Sequence, residues 1–188
     1  VTDRLTCDYA RAYPHVSLSV TCDLTLKLMD KMSQGELDLA LIKREPVGAD
    51  LGQPVWREHL VWVGAGEDIL AKDGPIPLIA APSPCVYRKR ATAALDQAGR
   101  AWRIAYTSPS LAGQQAALRA GLGVMALPSE MAPEDLLQFG SEQGFPPLAD
   151  AEIALVRAGK TLSVPAERLA NFILASLNDA SSATPSAA

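Results

Sequence analysis

The 188-residue chain has little of what most directly commits a sequence to a chemistry. It has no basic excess: 17 Lys and Arg stand against 21 Asp and Glu, a formal net charge of -4 at pH 7. Nucleic-acid phosphates are gripped by clustered Lys and Arg, so this balance argues against direct DNA binding. The apolar runs are broken within about ten residues by Pro, Gly or charge, short of the roughly 18 that cross a bilayer, so no membrane association is expected. No basic stretch leads into an apolar run after Val1-Thr2-Asp3-Arg4, so no secretory signal is visible. The cysteines are three, Cys7, Cys22 and Cys85, without C-x-x-C spacing. That argues against a disulfide framework or a structural zinc site and fits a reducing cytoplasm. Only two histidines exist, His15 and His59, and neither H-E-x-x-H nor G-x-S-x-G occurs. Nothing points to catalysis, a cofactor or a metal.

What is present is core-forming: 48% of the residues are apolar, enough for one large domain or two small lobes. Helical spacing runs over residues 1 to 12, ending at Ala12-Tyr13-Pro14. Alternation predicts a strand over Val16 to Val20, then a helix capped by Asp23 and stopped at Gly35. Leu37 to Ile42 reads as a strand buried on both faces, and Leu60 to Val63 as another. Gly64 to Pro77 reads as a connection and a domain crossing.

The pattern then restarts. It predicts a strand over Pro77 to Ala81, a helix over Cys85 to Ala98 and a strand over Trp102 to Thr107. Ser108-Pro109 opens a helix with Leu111, Gln115, Leu118 and Leu122 on one face. A strand over Gly123 to Leu127, a short helical piece near Pro133 to Leu137 and a loop over Gly140 to Pro147 follow. A strand over Ile153 to Arg157 and a helix over Pro165 to Leu177 complete the order, and the Ser, Ala, Thr and Pro tail 178–188 reads as disordered. Alternating strands and helices in two blocks imply an α/β chain of two lobes with parallel sheets.

Gly121-Leu122-Gly123-Val124-Met125-Ala126 has the letters of a dinucleotide fingerprint, but its glycines close a helix and open a strand, the reverse of what a pyrophosphate needs. They read as turn glycines. Ser83-Pro84-Cys85 and Thr107-Ser108-Pro109-Ser110 place hydroxyls and backbone N–H groups at the carboxyl ends of two strands, where open α/β sheets bind ligands. Each is also what a plain helix cap looks like. Cys85 at a helix start has a lowered thiol pKa as one reading and a small hydrophobe as the other. Lys43-Arg44-Glu45 follows the buried strand at the same kind of edge, and Arg88-Lys89-Arg90 reads as the wet face of its helix.

The order of these blocks resembles the effector-binding domain of LysR-type transcriptional regulators. The resemblance rests on Tyr13-Pro14-x-Val16-x-Leu18, Gly35-Glu36-Leu37-Asp38-Leu39-Ala40-Leu41, Leu60-Val61-Trp62-Val63 and Ala120-Gly121-Leu122-Gly123-Val124-x-x-Leu127-Pro128, and covers residues 1 to 177. It implies two Rossmann-like α/β lobes joined by crossing strands, as in type II periplasmic binding proteins, with a small effector in the cleft. By that analogy lobe I is 1–66 plus 148–177 and lobe II is 67–147. The family's winged helix-turn-helix and its first lobe I strand are expected ahead of Val1 or absent. DNA would then be a partner only through that head, with RNA polymerase a further candidate.

Carried over position by position, the pocket would use Lys43 and Arg44, Ser83 and Cys85, Thr107 and Ser108, and Val124. Lys43 or Arg44 would pair a carboxylate if the effector is anionic. The family further implies a homodimer, with stacking into tetramers left open, in the cytoplasm. The other reading that shares this architecture is a solute-binding protein of a transport system.

Overall fold

The computed structural model describes residues 2–46, 51–66, 74–159 and 161–182. These divide into two compact units: Val1–Lys43, Val47–Trp56 and Glu152–Ala188 in the first, Arg44–Pro46 and Arg57–Ala151 in the second. The sequence reading closes its first lobe after residue 66 and resumes it at 148. The division found follows β3 (Leu60–Gly64), whose ladders to β6 (Met125–Pro128) and β7 (Leu137–Phe139) tie it to the second unit.

In the first unit, α1 (Thr2–Ala12) packs on α5 (Val164–Ser182). Tyr9 is 1% exposed, its ring meets Tyr13 and Phe172, and its hydroxyl donates to the Pro165 carbonyl at 3.1 Å. The sheet has strand order β1-β8-β2, from β1 (Leu39–Arg44), β8 (Ala151–Arg157) and β2 (Gln53–Glu58). Ala40 and Ile42 of β1 pack with Leu28 and Met32 of α2 (Thr25–Ser33), while Leu39 and Leu41 join Leu155 and the α5 residues Ala170 and Ile173. Both faces of β1 are covered, as its unbroken apolar run predicts.

Three expectations fail here, and one strand goes unmentioned in them. Residues 16–20 form no strand; Val16 and Leu18 are half-buried, but Val20 is 54% exposed. Alternation sorts side chains between faces, yet a strand also needs a ladder partner, and β1 at the sheet edge bonds only to β8. Asp23 does not cap α2: its Oδ1 accepts from Leu24 N at 2.8 Å, one residue early, and Leu24 holds the N-cap position. β2 falls where the sequence analysis names no element, and as an edge strand it tolerates the N–H that Pro54 lacks. The last helix continues past Leu177 to Ser182, and 183–188, where the rest of the expected disorder falls, lie outside the described residues.

In the second unit, β4 (Ile76–Ala80) and β5 (Trp102–Thr107) run parallel across the connecting helix α3 (Val86–Gln97), with Ala80 opposite Thr107. β3 instead pairs antiparallel with β6 and β7, so the expectation of parallel sheets throughout is corrected. Parallel neighbours need a crossover such as α3, and no single helix links β3 to either partner. Val124 joins the two sheets through a parallel bridge to Leu78. The helix expected near 133–137 is replaced by a 3-10 turn at Ser129–Met131 followed by β7. Pro133 drives Ala132 into an extended conformation (φ -66, ψ 123), which stops the turn from growing.

The cores of this unit hold Leu95 from α3 and Leu118 from α4 (Leu111–Arg119), each 0% exposed. Truncating either to Ala removes packing worth about 2–5 kcal/mol. Phe139 and Phe145 stack at 5.4 Å beside Trp62, whose indole N–H donates to the Pro146 carbonyl at 2.8 Å. The expected inward face of α4 is half right. Leu118 is buried, but Leu111 and Leu122 are 37% and 48% exposed, and the buried neighbours are Gln114 and Ala117. Among the described residues no helix is long and apolar enough to cross a membrane.

Candidate functional site

The second unit brings the two helix starts named from sequence to one edge. β4 and β5 are adjacent and parallel, so their carboxyl ends finish side by side, and the Ser108 amide donates to the Ala80 carbonyl at 3.2 Å. From this edge the chain enters α3 through Ser83-Pro84-Cys85 and α4 through Ser108-Pro109-Ser110. Both helices thus begin at this edge, and the N–H groups of a helix's first turn favour anionic or carbonyl oxygen.

The α3 start is made without a side-chain cap. Cys85 occupies the N-cap position in extended conformation and its thiol accepts no capping bond. It is half-buried and packs against the core cluster of the second unit. Ser83 is exposed, and its peptide bond to Pro84 is cis. The α4 start is capped, but not by Ser108 as the sequence order Ser-Pro predicted. Ser110 is the N-cap, its Oγ accepting from Gly113 N at 3.4 Å, because Ser108 is engaged earlier in the loop. Its Oγ accepts from Ser110 N at 3.2 Å and donates to Ser110 O at 3.3 Å. Thr107 ends β5, exposed.

A third segment joins them. Arg44, Glu45 and Pro46 group with the second unit, and Glu45 ties them to α3: one carboxylate oxygen accepts from Lys89 and the other lies 3.6 Å from Arg90 Nη1. The Lys89 ammonium, and then the Arg90 charge, hold the Glu45 carboxyl below the usual carboxylate range against the raising effect of burial. Arg44 itself is 7% exposed. Lys43 is exposed on β1 and groups with the first unit, apart from the other six candidates. Val124 offers a ligand no surface. It is 0% exposed, its N–H donates to Pro77 O at 2.9 Å and its carbonyl accepts from Ile79 N at 2.8 Å.

Sequence reasoning missed several residues at this edge. The run Arg88-Lys89-Arg90 is not simply a wet face: the Arg90 side chain is 18% exposed with its Nε buried and unpaired, and Arg88 Nη1 reaches the Ala81 carbonyl at 3.3 Å. Tyr87, buried in the first turn of α3, donates its hydroxyl to Glu58. Burial first, and then the Glu58 charge, push its phenol well above the ordinary tyrosine range. Gln114 is 7% exposed and donates Nε2 to the Ser108 carbonyl at 2.6 Å, so one matched bond offsets an amide desolvation of about 1–3 kcal/mol. The sequence signal for it was a glutamine one turn into a helix, and the reading chose its neighbour Gln115. Among the described residues no cluster of His, Cys, Asp and Glu is suited to hold a metal ion.

Comparison with known proteins identifies the family and the fold. Residues 4–178 match the family described as the LysR substrate binding domain. The chain is 31% identical over 147 residues to the HTH-type transcriptional regulator DgdR of Burkholderia cepacia, covering 78% of this chain and 50% of that protein. It is 27% identical over 146 residues to the HTH-type transcriptional regulator PecT of Dickeya dadantii (strain 3937), covering 77% and 46%. The chain therefore spans about half the length of the curated relatives it matches. Its fold is that of the Synechocystis PCC6803 CcmR regulatory domain, solved in complex with 2-PG, at a TM-score of 0.71 and 22% identity over 95% of this chain and 91% of that one. Both named relatives are regulators rather than enzymes, and the fold is the α/β, type II periplasmic-binding-protein-like one anticipated from the motif order. The chain belongs to the LysR substrate-binding domain family.

Proposed function

We propose that this chain is the effector-sensing region of a cytoplasmic transcriptional regulator. The observation that carries this reading is the pairing of Ala80 with Thr107, which sets two helix starts beside one another at the ends of parallel strands. The effector meets Ser83 and Cys85 on one side and Thr107 and Ser108 on the other. Arg44, which groups with the same unit, pairs a carboxylate when the ligand carries one. The relatives regulate transcription, which favours sensing over delivery to a transporter. The partners of the whole protein follow from that reading: a second copy of the chain, and DNA through a helix-turn-helix head. Effector binding changes the dimer only by preferring one of its states, and so biases the spacing of the heads.

A thermal-shift panel of small organic acids and phosphate-bearing metabolites, 2-PG among them, tests the proposal on the full-length regulator. At least one compound raises the melting temperature, and Ser108→Trp removes that shift while leaving the fold intact. No shift from any compound on a folded, dimeric regulator would count against effector sensing. An unchanged shift in Ser108→Trp would remove Ser108 from the site.

A further inference from the structure

We propose that Gln114 is the positioning residue of this site, its buried amide fixing the Ser108 carbonyl and with it the shape of the α4 helix start that the effector meets. The inference rests on the reading above for the ligand, and on the geometry alone for the loop.

Gln114 sits one turn into α4 beside the buried Ala117 and Leu118, where an apolar side chain would fill the same space. An amide is there instead, 7% exposed, and its bond is Nε2 to Ser108 O at 2.6 Å. Its Oε1 has no hydrogen-bond partner among the described residues. The amide therefore serves the loop rather than the core.

The loop around it is already closed at its other points. Ser108 N is held by Ala80 O, Ser108 Oγ engages both backbone groups of Ser110, and Ser110 Oγ holds Gly113 N. Gly113 completes the fit, since a Cβ there would lie 2.8 Å from Ser108 Oγ. The Ser108 carbonyl is the remaining group that sets the direction of the peptide into Pro109, and Gln114 holds it. Releasing it lets the Ser108-Pro109-Ser110 segment turn, and the N–H groups of Ser110 and Gly113 lose their partners together.

Two substitutions separate positioning from packing. Gln114→Met keeps length and volume and removes the donor. Gln114→Glu removes the donor while ionised and restores one when protonated, an event that burial moves up in pH. The readouts are thermal melting, amide hydrogen exchange at Ser110 and Gly113, and affinity for whichever panel compound shifts the wild-type protein.

For Gln114→Met the expected result is a small fall in melting temperature, about tenfold faster exchange at both amides and about tenfold weaker binding, the scale of one hydrogen bond. For Gln114→Glu the same losses appear at neutral pH and recede as the pH is lowered through protonation of the introduced carboxyl. A merely structural residue would lose melting temperature and binding in step, without faster exchange concentrated at Ser110 and Gly113. Wild-type exchange and affinity in Gln114→Met, or losses in Gln114→Glu that do not vary with pH, would overturn the proposal. If no compound binds the wild type, the effector reading fails, and the exchange measurement still decides the role of Gln114.

Discussion

The two glycines of Gly121-Leu122-Gly123 are required for different reasons, and a pair of alanine substitutions distinguishes them. Gly121 follows the α4 C-cap with φ +68, its N–H donating to Leu118 O at 2.9 Å while Leu122 N reaches Ala117 O at 3.1 Å. This is a Schellman ending, and a Cβ at Gly121 would meet nothing within 4 Å. Gly121→Ala therefore costs only left-handed backbone strain, about 1 kcal/mol. Gly123 has no such φ, but a Cβ there would stand 2.4 Å from the Pro77 carbonyl oxygen and 3.0 Å from its carbon. Those are backbone atoms of the β4 segment that accept from Val124 N, so the side chain cannot be accommodated by a rotamer change.

Moving the strands apart by about 1 Å breaks or stretches the Val124 N to Pro77 O and Ile79 N to Val124 O bonds, both buried. At about 1–3 kcal/mol for each polar group left unmatched, Gly123→Ala costs about 2–5 kcal/mol, a large share of a typical domain stability. Urea unfolding followed by tryptophan fluorescence measures this, because Trp62 is 2% exposed in the same unit. The expected order is Gly123→Ala well below Gly121→Ala, with Gly121→Asn close to wild type. Equal losses at the two positions, or a neutral Gly123→Ala, would refute the close-approach argument.

Two further outcomes follow from the ionisable groups. Tyr87→Phe removes the hydroxyl bonded to Glu58 and destabilises the second unit by about 1–2 kcal/mol in a denaturant melt. Because the folded phenol is held protonated while the unfolded one ionises near 10, the unfolded chain binds fewer protons above that pH. Stability from Tyr87 is full below about pH 10 and falls as pH rises, and Tyr87→Phe flattens that alkaline limb. Glu45 is the opposite case: its carboxyl is held down by Lys89, so its contribution is present above the ordinary carboxylate range and is lost as pH falls through the lowered folded value. Glu45→Gln reduces the acid sensitivity of melting below the ordinary carboxylate range by an amount typical of partly exposed pairs, under about 1 kcal/mol.

Most elements were legible because their cause is local. Gly35, Gly99 and Gly121 mark where α2, α3 and α4 stop, and the apolar runs at Leu39 and Leu60 mark strands that are covered on both faces. What failed depends on partners. Residues 16–20 alternate correctly and pair with nothing, β2 forms around a proline because it lies at an edge, and β3 runs against its neighbours because no crossover helix joins them. Pairing direction and edge position are properties of the assembled sheet and leave little trace in a six-residue pattern.

The arrangement at the candidate site was legible at the level of chain position and illegible at the level of bonds. The positions Ser83, Cys85, Thr107 and Ser108 follow from strand ends that open helices, and the parallel register of β4 and β5 brings them to one edge. Which hydroxyl caps and which shapes the loop does not follow, since Ser108 and Ser110 are chemically equal and the choice falls to Ser110 through the fold of the intervening proline. The glutamine choice has the same origin. Gln114 and Gln115 differ by 100° around a helix axis, and Leu111 and Leu122, which steered the reading toward Gln115, are the residues left exposed at the helix ends. An apolar stripe identifies the buried face only where the helix has neighbours along its whole length. On the nine-residue α4 the inward direction is set by Ala117 and Leu118 in the core, and Gln114 shares that buried side, where its amide reaches the Ser108 carbonyl.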